Sequence, residues 1–152
     1  NFSLALKNIK NKKAENIDIN NLAVWSSTGR EINIFSNDSQ TGEHTVGESA
    51  DGRDGAFKVK TISIQDIFGK NNIAYCDLLK MDIEGAEYSA LFSMPESSFK
   101  KIGNICMEYH IDIENKHNIE DLKNLLINNG FEIEIEKINN DTGLLSAFNK
   151  LK

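Results

Sequence analysis

The sequence predicts an α/β fold in which a mostly parallel sheet closes on an antiparallel C-terminal hairpin strand. Three stretches carry the prediction. In CDLLKMDIEGAEYSAL (residues 76–91) the period-two alternation of Leu79 and Met81 against Leu78 and Lys80 changes near Gly85 to the helical spacing of Ala86, Leu91 and Phe92. IGNICMEYHI (102–111) is a second buried-strand run, so strand, helix and strand make a βαβ unit whose two strands lie parallel with their carboxyl ends side by side. FEIEIEKI, the turn NNDTG and LLSAFN then read as a hairpin.

Taken in order, FSLALKNIKNKK puts Phe2, Leu6 and Ile9 on one face of a short amphipathic helix. ENIDINNLAVW supplies Ile17, Ile19, Leu22 and Val24 as a strand over 17–25, and SSTG (26–29) turns the chain into the strand REINIF. Residues 36–56 hold four of the ten glycines and almost no large apolar side chain, which predicts a long mobile loop. FKVKTISI (57–64) alternates as a strand, a short helical piece follows near QDIFG, and the next strand runs from about Ile73 to Asp82. After the helix at 85–93, Pro95 breaks the pattern before the second strand of the βαβ unit. NIEDLKNLLINNG has a helix's punctuation, with Asn118 and Asp121 in capping positions, Leu122, Leu125 and Leu126 on one face and Gly130 as the stop. There is no internal repeat.

A chain of 152 residues suits one domain with a real core. Lys plus Arg is 17 against 23 for Asp plus Glu, a net charge of −6 with no basic stripe, which argues against a nucleic-acid partner. No apolar run approaches the roughly 20 residues of a membrane helix and no leader pattern opens the chain, so a soluble, cytoplasmic protein without a membrane partner is expected. Cys76 and Cys106 sit in strand-like runs without a C-x-x-C partner and read as buried thiols in a reducing compartment. The first residue is Asn1 rather than methionine, in mid-pattern, as expected for part of a longer protein.

The candidate site lies where the βαβ strands end. Asp82 and Glu84 precede or straddle the strand-to-helix turn, the position at which open α/β sheets bind ligands. Glu87, inside the first helical turn, is read as helix-start electrostatics. Glu108 and His110 are two residues apart on the neighbouring strand, on one face at a Cα separation of about 6.5 Å. Asp82, Glu84, Glu108 and His110 should therefore converge. Such a cluster could hold a general base, for which His is the usual choice near neutral pH, or a divalent metal bound through oxygen and imidazole. The base reading is preferred and no metal is assigned. His44 in the polar loop and His117 before its helix are expected to face solvent, and Trp25 to belong to core or rim. Neither a G-x-G-x-x-G turn nor a phosphate-loop lysine pattern occurs.

DLLKMDIEGAEYSAL, then ICMEYH, a helix, NNGFEIEI and a closing hairpin resemble the later part of an FkbM-type S-adenosylmethionine-dependent methyltransferase domain. LKNIKNKKAENIDINNLAVWSSTG is similar to that family's helix and third strand, and the long loop with VKTISIQDI to its link into the fourth strand. The resemblance implies a Rossmann-like methyltransferase sheet, seven strands when complete, ending in a reversed hairpin strand. It also implies that Asp82 lies next to methyl donor and acceptor, that Leu22 and Ala23 border the adenine, and that Glu84, Glu108 and His110 line the acceptor side, where a base takes a proton from a hydroxyl. The acceptors it implies are sugars and other small metabolites. The family's first strand with its glycine-rich loop, and its second strand, should precede Asn1. The strand at 17–25 is then expected to pair elsewhere or with another chain through its exposed edge, and the chain to hold the donor weakly or not at all by itself. Two other classes compete with the methyltransferase. One is a non-catalytic interaction protein that kept the sheet, and the other a metal-dependent hydrolase using the same polar residues.

Overall fold

The computed structural model describes residues 2–36, 44–47 and 56–150. Helix α1 (Phe2–Lys12) leads to β1 (Ala23–Val24), β2 (Glu31–Ser36), β3 (His44–Gly47) and β4 (Ala56–Ile62). Then come α2 (Ile64–Lys70), β5 (Cys76–Met81), α3 (Glu87–Phe92), α4 (Glu96–Phe99) and β6 (Ile102–Tyr109). Helix α5 (Ile119–Asn128), β7 (Phe131–Lys137) and β8 (Gly143–Asn149) complete the chain. The strands form two four-stranded sheets, ordered β1-β4-β2-β3 and β5-β6-β8-β7.

The βαβ unit is present. β5 and β6 pair in parallel, with Met81 opposite Met107, so their carboxyl ends lie together. β7 and β8 form the closing hairpin, and β8 runs antiparallel to β6 with Gly143 opposite Tyr109. The chain is α/β, but its sheets are mixed rather than mostly parallel. Only β1–β4 and β5–β6 pair in parallel among the described residues, because β2 lies antiparallel to both β3 and β4. The sequence pattern marked REINIF and FKVKTI as strands, yet nothing in it shows which strand each meets.

The predicted strand at 17–25 shrinks to Ala23–Val24, paired with Thr61 and Ile62 of β4 in the same chain. Asn16, Asp18, Asn20 and Asn21 interrupt the upstream run, and such side chains compete for backbone hydrogen bonds and disfavour strands. The expected long loop at 36–56 lies mostly outside the described residues, but 44–47 within it form β3 against β2. For His44 only the backbone on that strand is described.

Packing is one-sided in the β5-β6-β8-β7 sheet. Ile105, Met107, Tyr109, Leu145 and Ala147 face a core completed by Tyr88 and Leu91 of α3 and Leu122 and Leu126 of α5. Leu78, Cys106, Leu144 and Phe148 project from the strands toward solvent. This corrects the expectation of two buried thiols. Cys106 alternates with Ile105 and Met107 and so lies on the open side, while Cys76 is half-buried and burial pushes its thiol pKa up. A second cluster joins Trp25, Ile32 and Ala86, with Ile83 packing against both cores. Trp25, 3% exposed, is a core residue. No helix among the described residues is long and apolar enough to cross a membrane.

Candidate functional site

The site is built on the corner between β5 and α3. Glu84 has φ +55° and Gly85 φ +92°, so two successive residues take the left-handed conformation and the chain reverses within them. Glycine is required at the second. A Cβ on Gly85 would lie 2.7 Å from the Ile111 carbonyl oxygen, and the Ile113 N–H donates to the Gly85 carbonyl at 3.2 Å. These contacts clamp the corner against the chain leaving β6. His110, one residue before Ile111, is thereby held over the corner.

The four predicted polar residues come together. His110 Nε2 lies 3.6 Å from Glu84 Oε2 and 3.8 Å from Glu108 Oε1. Asp82, Glu108 and His110 each turn a donor atom to within 4.8 Å of the others. The other ring nitrogen, Nδ1, faces Glu87 Oε1 at 3.3 Å, and Glu87 is wholly buried. Sequence reasoning missed that contact. The sequence reads Glu87 as helix-start electrostatics, whereas the carboxylate accepts from the Ile83 N–H and the Gly85 N–H, each at 2.9 Å, and meets the imidazole as well. The signal was there in principle, since a carboxylate two residues after a glycine corner can fold back on the corner's amides, but a capping glutamate has the same spelling.

Electrostatics follow from this crowding. The hydrogen bond with Glu87 raises the His110 pKa above its ordinary value, burial opposes it, and the charges of Glu87, Glu84 and Glu108 add to the rise. Burial lifts the Glu84 carboxyl above the usual carboxylate range; His110 pulls it down while Asp82, Glu87 and Glu108 push it further up. Tyr88 is pushed up to about 12, mainly by burial, so it stays a hydroxyl and cannot serve as a base near neutrality.

Two cavities flank the cluster. One of about 240 Å³ is lined by Leu22, Ala23, Trp25, Ile32, Ile83 and Glu84, an apolar chamber with a carboxylate on its wall. The predicted pair Leu22 and Ala23 thus lies on one cavity with Glu84. A smaller one, about 170 Å³, touches His110, Tyr109, His117, Asn118, Asn140 and Asp141. Its floor is organised by buried Asp112, which accepts from the Glu114, Lys116 and His117 N–H groups. His117, expected to face solvent, is half-buried. Its ring stacks on Phe92 at a centroid distance of 3.8 Å, an apolar partner that the helix spacing of α3 turns toward it.

As a metal site the cluster is loose. Ligands on one ion at about 2.1 Å stand roughly 3–4 Å apart, so the 3.8 Å between His110 Nε2 and Glu108 Oε1 is within that range, but the third group, Asp82, is exposed and joins them only within 4.8 Å. The arrangement is better described as carboxylates around an imidazole.

An α/β chain with carboxylates around an imidazole at the carboxyl ends of adjoining parallel strands, beside an apolar cavity, has the layout of a small-molecule binding site. The family model described as the methyltransferase FkbM domain matches residues 4–133, and the chain belongs to that family. No curated protein and no solved structure matches it.

Proposed function

We propose that the chain acts in S-adenosylmethionine-dependent transfer of a methyl group to a hydroxyl of a small metabolite or sugar, with His110 as the general base. The observation that carries the reading is the junction at Glu84, which lines the apolar chamber and also meets His110 Nε2 at 3.6 Å. Leu22, Ala23, Val24 and Ile34 offer an apolar surface suited to an adenine ring, and the carboxylates of Glu84 and Asp82 suit a cationic sulfur and an ammonium group. When bound, S-adenosylmethionine supplies an electrophilic methyl group. His110 Nε2 would take the proton of the acceptor hydroxyl as the methyl group is transferred to its oxygen, and Glu84 and Glu108 would stabilise the imidazolium that results. Glu84, half-buried with a raised pKa, is the second candidate for the base.

Equilibrium dialysis against labelled S-adenosylmethionine tests the reading. Saturable binding below about 1 mM is expected, weak because few contacts converge. Ala23→Trp, which fills the chamber, should abolish it. Absence of saturable binding to the unaltered chain, or unchanged binding in Ala23→Trp, overturns the assignment of the chamber.

A further inference from the structure

We propose that Glu87 is the positioning residue of the site, its buried carboxylate fixing the His110 ring and tautomer so that an unprotonated Nε2 faces the cleft. The inference rests on His110 being the base. Glu87 is wholly buried, and its orientation is set independently of the imidazole, since Oε1 receives the Ile83 N–H and Oε2 the Gly85 N–H, each at 2.9 Å. A carboxylate oriented in this way presents Oε1 to His110 Nδ1 at 3.3 Å.

An ionised carboxylate only accepts, so the nitrogen facing it keeps its hydrogen when the ring is neutral. The two ring nitrogens are unequal in this respect. Nδ1 has a fully desolvated acceptor within hydrogen-bond distance, whereas Nε2 faces the part-exposed Glu84 and Glu108 carboxylates at 3.6 and 3.8 Å, beyond it. When the imidazolium loses a proton, Nε2 is the atom that gives it up, and Nε2 is the atom a base must present. Glu84, Glu87, Glu108 and Asp82 all face the ring, so Glu87 is distinguished by burial and by its amide anchors rather than by charge.

Long-range ¹H–¹⁵N NMR of the unaltered chain reads the tautomer without any substitution. Above the His110 titration, the Nδ1–H tautomer is expected; a predominant Nε2–H tautomer overturns the proposal. In Glu87→Gln a single oxygen must replace two, so the tautomers should mix and the titration midpoint should move to lower pH, with partial return in Glu87→Asp. A folded Glu87→Gln with unchanged midpoint and tautomer also overturns it. If Glu87→Gln does not fold, the tautomer of the unaltered chain decides. The companion assay follows transfer from labelled S-adenosylmethionine to a panel of monosaccharides. Glu87→Gln should lower kcat by about 10²- to 10⁴-fold with little change in donor KM. Normal NMR behaviour with His110→Ala still fully active sinks the base reading while leaving Glu87's hold on the ring in place, so the two failures are distinct.

Discussion

Glu84 and Gly85 show how much of the site rests on two backbone angles. A non-glycine residue with φ +55° carries strain of order 1 kcal/mol or more, and Glu84 accepts it at the place where its carboxylate meets His110. Gly85→Ala should destabilise the chain by about 1–3 kcal/mol, because the new Cβ would press on the Ile111 carbonyl at 2.7 Å and φ +92° disfavours it. Urea unfolding measures this, and a midpoint within error of the unaltered chain would show that the corner can relax. His110→Ala should reduce transfer to a hydroxyl acceptor by about 10²- to 10⁴-fold with donor affinity nearly unchanged, as kinetics and dialysis together would reveal. Unchanged turnover would move the base to Glu84 or Glu108. At this scale the sequence was legible where residue type and strand parity suffice: Asp82, Glu84, Glu108 and His110 could be gathered from alternation and the βαβ rule. Glu87 was not, because its role depends on a side chain curling back four residues to Ile83 and across to His110. Stacking of His117 on Phe92 was equally hidden, since it depends on the loop path that Asp112 sets.

Helix α5 and strand β1 mark the two extremes among the elements. All the determinants of α5 are local. Asn118 accepts from the Glu120 and Asp121 N–H groups, Asp121 accepts in return from the Asn118 N–H, and Gly130 ends the helix at φ +90°. Asn118→Ala should therefore cost about 1 kcal/mol, within the usual range of about 0.5–2, by removing the acceptor for two helix-start amides. Thermal or urea unfolding checks it, and a loss under about 0.3 kcal/mol would mean that packing of Leu122 and Leu126 alone holds the helix. β1 is the opposite case. Its apolar residues suggested nine positions of strand, but the strand needs a neighbour to exist, and only Ala23 and Val24 find one on β4. The same dependence on partners explains why β2 and β4 were readable as strands while their mixed orientation was not, and why β3 fell within a predicted loop.

Across the whole molecule, the direction of each pKa shift sets how stability varies with pH. Glu114, whose pKa is lowered first by the Ser89 hydroxyl, and the solvent-exposed Asp66 and Glu96, lowered first by Thr28 and Lys100, contribute stability that is present above their unfolded values and lost as pH falls through the folded ones. Solvent screening keeps those contributions small. The site works in the other direction. Glu84, raised from 4.5 by burial, favours the fold below that value and loses its contribution as pH rises through its folded pKa. His110, raised from 6.5 chiefly by Glu87, contributes fully below 6.5 and loses that contribution as pH climbs through its higher folded value. Opposed limbs place maximal stability on the mildly acid side of neutrality. Urea unfolding from about pH 2 to about pH 9 should show a midpoint that falls above about pH 6.5 and again below about pH 4.5, the acid limb being set by the lowered carboxyls and the alkaline limb by His110. In His110→Gln the alkaline decline should disappear while the acid limb remains, whatever the absolute stability of the variant. A decline of the same slope in His110→Gln would assign it to another group and would mean that the Glu87 carboxylate does not hold the imidazolium in the folded chain.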